Sequence, residues 1–278
     1  MERTLSATES KVILELEWQN KKIVTIGEIA EILGASKNYA YKLASQLVKK
    51  RWLFPISRGN FQLIPAAAGR EEPVPEMNAA VFLSTVSELY YVSYAFANNF
   101  YGFTSQMPST IAIVVPAREQ YGWRRMRQFH NVRFRFVYVK KQKFFGYTSA
   151  DLLGVQIKIA EKEKALVDSL DKIGYAGGIE EVSEVFKNAL GESNIEKLID
   201  YAFKMGSKAL IQRLGFLLDL NEVSLPENLE KQMIEKIKSS RLYLAPPKVW
   251  GKKGEFNSRW RLVVNIPLER LAKREEER

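Results

Sequence analysis

Apolar and polar positions recur at different periods along the chain, and the changes of period mark the elements. Behind Ser6-Ala-Thr-Glu9, Val12, Ile13 and Leu16 repeat at helical spacing. That tetrapeptide is a capping box, with the serine capping the helix start and the glutamate reaching back from three residues on. The spacing predicts a helix to about Trp18, then a short β-prone link over 22–25. Thr25-Ile-Gly-Glu28 is a second capping box and opens a helix over 26–33. Gly34 ends that helix, and Ser36 caps the next, which runs to about Lys50. In Trp52–Ile64, two apolar runs flank Ser57-Arg58-Gly59-Asn60, the pattern of a β-hairpin with glycine in its turn.

Helix, glycine turn, helix and hairpin, in that order, predict a winged helix-turn-helix. Ile29, Leu33, Ala40, Leu43 and Leu47 make one apolar face, and Ala30 is small where the two helices must approach. The residues left outward on the second helix are Lys37, Asn38, Tyr41, Lys42, Ser45 and Gln46. All can donate hydrogen bonds and none is acidic, as a helix lying in the major groove requires. The DNA-facing set expected from this pattern is Ser36, Lys37, Asn38, Tyr41, Lys42, Ser45, Lys49, Arg58 and Asn60, with Arg58 at the wing tip. The alternatives are a small helical packing domain with a solvated basic face and a winged helix that contacts protein.

Pro65–Pro75 is rich in proline, alanine and glycine and reads as a linker or chain crossing, which places one domain at 1–68 and a second at 69–278. In the second, 78–100 reads as helical and aromatic-rich. Strands are predicted at 110–115, 132–139 and 155–159, then a largely helical stretch over 161–239 with caps at Ser193 (with Glu196) and Ser207. Two last strands fall at 241–244 and 260–266, and the chain from Leu268 onward reads as a charged helical or frayed end. Strands and helices mix without regular alternation, so the fold class is α+β, with a helical carboxy-terminal portion.

Charge sharpens this picture. The chain has 278 residues, 42 basic against 32 acidic, for a net charge of +10. Between Glu31 and Glu71 there is no acid, but there are seven bases: Lys37, Lys42, Lys49, Lys50, Arg51, Arg58 and Arg70. A second basic stretch, 118–143, holds nine bases against one acid. Its Arg124, Arg125, Arg127, Arg133, Arg135, Lys140, Lys141 and Lys143 form a candidate second nucleic-acid surface, interleaved with Tyr121, Trp123 and Phe129 for stacking on bases. Arginines on the exposed face of an ordinary strand are the alternative.

Candidate chemistry is thin. Zero cysteines exclude disulfides and thiol catalysis, and a single histidine, His130, excludes paired-histidine metal motifs. His130 reads as a surface or boundary residue. Gly174-Tyr-Ala-Gly-Gly178 lacks the following Lys-Ser/Thr of a phosphate loop and reads as a helix connector. Glu161, Glu163, Asp168 and Asp171 fall in one predicted helix, but without the acid-x-lysine pair of a metal-dependent nuclease. Lys164 and Asp168, four apart, read as a helix-surface ion pair worth about a few tenths of a kcal/mol. No catalytic residue, metal or cofactor is expected. With no leader and no apolar run of about 18 residues, the expectation is a cytoplasmic protein without a membrane partner.

Several of these segments together resemble AbiEi-type antitoxins. They are Leu47-Val-Lys-Lys-Arg-Trp-Leu53 with Arg58-Gly-Asn-Phe61, Tyr90-Tyr-Val-Ser-Tyr-Ala-Phe96 leading into Tyr101-Gly-Phe103, and Val155-Gln-Ile-Lys-Ile-Ala-Glu-Lys-Glu-Lys-Ala-Leu-Val-Asp168. Gly206–Leu218 and Trp260-Arg-Leu-Val-Val-Asn265 are similar as well, so the likeness spans most of the chain. The charged tail 268–278 is unusually long for the family.

The resemblance implies an antitoxin of an abortive-infection, type IV toxin–antitoxin pair that represses its own operon through inverted repeats in double-stranded DNA. It implies opposition to a nucleotidyltransferase toxin without a stable complex, a carboxy-terminal domain that carries antitoxicity, and self-association on DNA. The alternatives are a stand-alone ligand-sensing winged-helix regulator and, further off, a metal-dependent nuclease.

Overall fold

The computed structural model describes residues 4–68, 74–86, 89–117, 126–238 and 241–271. The chain divides into two compact units. The first comprises 1–87, 128–132 and 150–157, and the second 88–127, 133–149 and 158–278.

The first unit begins with α1 (Ala7–Trp18), β1 (Ile23–Thr25), α2 (Ile26–Leu33) and α3 (Lys37–Lys49). Both capping boxes form: Ser6 pairs reciprocally with Glu9, and Thr25 with Glu28. Gly34 ends α2 in the left-handed region at φ +61°, a conformation costly for any residue with a Cβ, and Ser36 caps α3 by accepting from the Tyr39 amide. The hairpin β2 (Leu53–Ser57) and β3 (Asn60–Leu63) follows, and β3 sits between β1 and β2 in a three-stranded antiparallel sheet. Val12, Leu16, Ile29, Ala40, Leu43, Leu47, Leu53 and Phe61 meet in the core between helices and sheet. The unit continues through α4 (Pro75–Ser84).

The aromatic-rich pattern over 78–100 predicts helix throughout, and the structure departs from it. After α4 the chain forms β4 (Tyr91–Ser93) and then the short α5 (Ala95–Phe100). β4 is drawn into the middle of a six-stranded sheet of order β6-β7-β5-β4-β9-β8, where neighbours on both sides bury it completely. The other members are β5 (Thr110–Pro116), β6 (Met126–Phe129), β7 (Val132–Val139), β8 (Tyr147–Leu152) and β9 (Val155–Ala160). β4 runs antiparallel to β5 and parallel to β9, while β5 and β7 run parallel with Ile111 opposite Phe134.

The helices α6 (Lys162–Asp171), α7 (Ile179–Ala189), α8 (Ile195–Met205), α9 (Lys208–Leu220) and α10 (Glu227–Ile237) follow. Ser207 caps α9 as expected, but α8 is capped by Asn194, whose side chain accepts from the Lys197 amide. Ser193 instead donates its hydroxyl to the Ala189 carbonyl. Beyond them, β10 (Leu242–Tyr243), α11 (Pro247–Trp250), β11 (Glu255–Asn257) and β12 (Leu262–Val264) build a small sheet of order β10-β12-β11. Its anchor is Trp260, fully buried against Gly215 of α9, where a Cβ would lie 2.2 Å from the indole ring.

α6 is buried along eight consecutive residues, Glu163–Leu170, packed by β4, α5, α7, α8 and α9. The Lys164–Asp168 pair is therefore internal rather than on a helix surface, with side-chain exposures of 0% and 3%. Asp168 also accepts from the Ser93 hydroxyl at 2.8 Å and from Tyr91 at 3.3 Å, and the Lys164 ammonium lies 4.9 Å from the centre of the Phe145 ring. Burial outweighs the lysine and both hydroxyls and pushes the Asp168 carboxyl above its usual range.

Candidate nucleic-acid interface

The exposed surface of α3 follows from the helical period. Ala40, Leu43, Ala44 and Leu47 are buried on one stripe, so the opposite side of the helix faces out. Lys37, Asn38, Tyr41, Lys42, Ser45, Gln46 and Lys49 are all exposed. No ion pair neutralises Lys37, Lys42, Lys49 or Arg58 among the described residues. Lys50 behaves differently. Its ammonium lies 2.7 Å from the Glu9 carboxylate, which is itself almost wholly buried. Burial raises the Glu9 carboxyl, but hydrogen bonds from Lys50 and from the Ser6 backbone and hydroxyl outweigh it and hold the group below its usual value.

The hairpin is tied to these helices in a way that spacing alone did not reveal. Gly59 has φ +78°, its carbonyl accepts from the Ile26 amide at 2.9 Å, and a Cβ there would lie 3.1 Å from the Tyr41 hydroxyl. The Tyr41 hydroxyl therefore lies close to the turn that carries the exposed Arg58, and part of the ring stays open to solvent. Of the remaining expected residues, Ser36 spends its hydroxyl on the α3 cap, and Asn60 is half-buried at the start of β3, opposite Thr25. Arg51 is exposed and left-handed at the end of α3, and the run Lys49-Lys50-Arg51 was its signal in the sequence. Arg70 lies outside the described residues.

The second basic stretch is less uniform. Arg124 and Arg125, with Tyr121 and Trp123, lie outside the described residues. Arg133 and Arg135 are exposed on β7, whose Val132, Phe134 and Phe136 turn inward. Arg133 reaches the Ser109 hydroxyl at 3.4 Å, while the Arg135 guanidinium contacts the Met126 sulfur and sits 5.5 Å from the Tyr175 ring centre. Arg127 lies 5.7 Å from the centre of the Phe136 ring. Lys140 and Lys141 are exposed, but Lys143 is ion-paired to Asp171 at 3.2 Å.

Phe129 offers no stacking surface, contrary to its expected role. It is buried edge-on against Phe54 and beside Phe82, because an apolar ring at a hairpin end gains more from packing than from solvent. His130, half-buried in the turn after β6, lies against the Phe54 ring at a tilt of 36°.

The four carboxylates of the 161–171 region are each engaged by a lysine. Lys197 bridges Glu161 at 3.0 Å and Glu163 at 2.9 Å, Lys164 holds Asp168, and Lys143 holds Asp171. Burial raises the two glutamates, but hydrogen bonds from Tyr201 and Lys197 hold Glu161 below its usual range, and those from Lys197 and the Asn194 amide do the same for Glu163. No helix among the described residues is long and apolar enough to cross a membrane.

No protein-family model and no curated protein sequence matches the chain. Among solved structures, the crystal structure of RV2827C protein from Mycobacterium tuberculosis superposes with a TM-score of 0.67. The alignment covers 94% of this chain and 92% of that one, at 16% sequence identity, and the likeness is one of fold.

Proposed function

We propose that the protein is a DNA-binding transcriptional repressor of the AbiEi antitoxin type, with a winged helix-turn-helix in its first unit. The observation that carries this reading is the face of α3. It is exposed, free of acids and of internal ion pairs, and continued by Arg58 on a hairpin whose Gly59 turn lies close to Tyr41. In this reading Lys37, Lys42 and Lys49 meet phosphates, and Asn38 reads a base edge, since an amide can pair bidentately with adenine. Arg58 reaches a phosphate or the minor groove. Arg133, Arg135, Lys140 and Lys141 form a second, weaker cationic surface that supports cooperative binding of two copies to an inverted repeat.

The protein acts by binding rather than catalysis, in the cytoplasm, and opposes a nucleotidyltransferase toxin encoded beside it. Engagement of every carboxylate of the 161–171 region by lysine favours this over a nuclease.

The test is a gel-shift titration against the DNA upstream of its own gene, with an unrelated duplex as competitor, at two salt concentrations. Preferential binding that weakens with salt is expected. Equal affinity for both duplexes, or no shift, would overturn the repressor reading and leave a protein-contact module.

A further inference from the structure

The second unit contains a cleft of about 400 Å³ between the end of α6, one face of α9 and the segment from β10 to α11. Pockets that hold small molecules span roughly 300–1,000 Å³. Ile173, Tyr175, Ala209, Tyr243 and Pro246 give this one mainly apolar walls. Tyr175 is held in place by Tyr94, edge-on at 5.2 Å, and by the Arg135 guanidinium.

Three charged side chains, Asp171, Lys172 and Arg213, interrupt the apolar lining. Arg213, one helical turn beyond Ala209 on α9, lines the cleft and is half-buried. Its Nε donates to the Leu244 carbonyl at 3.2 Å and its Nη1 to the Leu170 carbonyl at 2.8 Å, which pins the guanidinium between two walls. Carbonyls orient a guanidinium but do not neutralise it. Nη2 donates to nothing among the described residues. The carboxylate that lines the cleft, Asp171, is already ion-paired to Lys143, and the exposed Lys172 adds a further positive charge. Burial lowers the Arg213 pKa from its ordinary value, against the opposing field of Asp171.

We infer that this cleft binds a small carboxylic acid with an apolar, ring-sized body, its carboxylate on Arg213 and its body between Tyr175 and Tyr243. A planar guanidinium with unused donors matches a carboxylate in both charge and geometry. Apolar walls favour an organic acid over a fully hydrated inorganic anion, whose remaining oxygens would find no partners there. The inference does not depend on the DNA-reading proposal, because every residue it uses lies in the second unit.

Isothermal titration of the full chain with phenylacetate and with 4-methylpentanoate tests it, with 2-phenylethanol and inorganic phosphate as controls. At least one of the two acids should bind saturably, the alcohol should bind at least about tenfold more weakly, and phosphate should not compete. Ala209→Phe, which puts a ring into the cleft, and Arg213→Lys, which keeps the charge but loses the planar fork, should each weaken binding of that acid by about tenfold or more. Circular dichroism checks that both variants fold, and if either does not, the acid–alcohol comparison on the native chain decides alone. Absence of saturable binding by both acids up to about 10 mM, equal binding of the alcohol, or an acid affinity indifferent to the folded variants would overturn the assignment.

Discussion

α3 and α6 both intersperse lysines with apolar residues, and they use those lysines in opposite ways. α3 is packed along one stripe, so Lys37, Lys42 and Lys49 stay hydrated and unpaired, open to an outside anion. α6 is packed on every side, so Lys164 must find its counter-charge within the protein, and Asp168 one turn away supplies it. A helical lysine is therefore a binding group or a structural one according to what surrounds the helix, and its own sequence neighbours do not decide between them. An internal ion pair is also poor grounds for claiming added stability, because desolvating two charges offsets most of their attraction.

The most severe break in this comparison comes from removing one partner of the internal pair. Lys164→Met should cost about 3–5 kcal/mol in denaturant unfolding, because it strands a buried carboxylate. The Asp168 carboxyl already sits above its usual range, and without Lys164 it moves higher. A raised carboxyl pKa penalises the folded state at pH values above the unfolded pKa, so the loss should grow as pH rises through the acid range and shrink below it. A merely steric defect would be independent of pH. Converting both residues, Lys164→Met with Asp168→Leu, should remove the pH dependence and recover only part of the stability, because the buried Ser93 and Tyr91 hydroxyls lose their shared acceptor.

An intermediate effect is expected at Glu9, whose partner Lys50 lies just past the end of α3. Its folded pKa is lowered from a usual value of 4.5. The stabilisation is thus present above the unfolded value and is lost as pH falls through the folded one. Glu9→Gln should lower the melting temperature at neutral pH and flatten the acid side of the stability profile. A variant with an unchanged acid limb would show that the Lys50–Glu9 contact contributes nothing.

The smallest effect concerns the outward lysines and is read in DNA binding. Lys42→Ala should weaken binding to all sequences about equally and reduce the salt slope by roughly one unit. Lys50→Ala, whose ammonium is paired with Glu9, should leave that slope unchanged. Identical slopes for the two variants would erase the distinction between free and committed lysines on this helix. Asn38→Ala should instead relax sequence preference, and a uniform loss would assign Asn38 to the backbone.

What could be read in advance depended on range along the chain. The capping pairs Ser6–Glu9 and Thr25–Glu28, the left-handed Gly34 and the Ser36 cap each involve partners within about four residues, so their chemistry is written locally. The outward face of α3 was equally plain, because one buried stripe fixes which positions remain. β4 was not, because its aromatic residues suit a helix or a strand and its place is set by β5 and β9, which come later in the chain. β6 and β8 are the two outer strands of their sheet, exposed and polar enough to lack an apolar alternation. Asn194 displaced the expected Ser193 as a cap by a single residue, a difference decided by how the preceding helix ends.

The sequence by itself determined α1, α2 and α3, their caps and the hairpin, and which side chains of α3 face solvent, because turn chemistry and helical periodicity act over a few bonds. The tertiary structure alone decided that Lys164 and Asp168 are internal, that Phe129 is core, that Lys50 and Lys143 are already paired, and that Arg213 lines an apolar cleft. Burial and charge pairing are set by segments distant in sequence, and no local pattern records which of them will arrive.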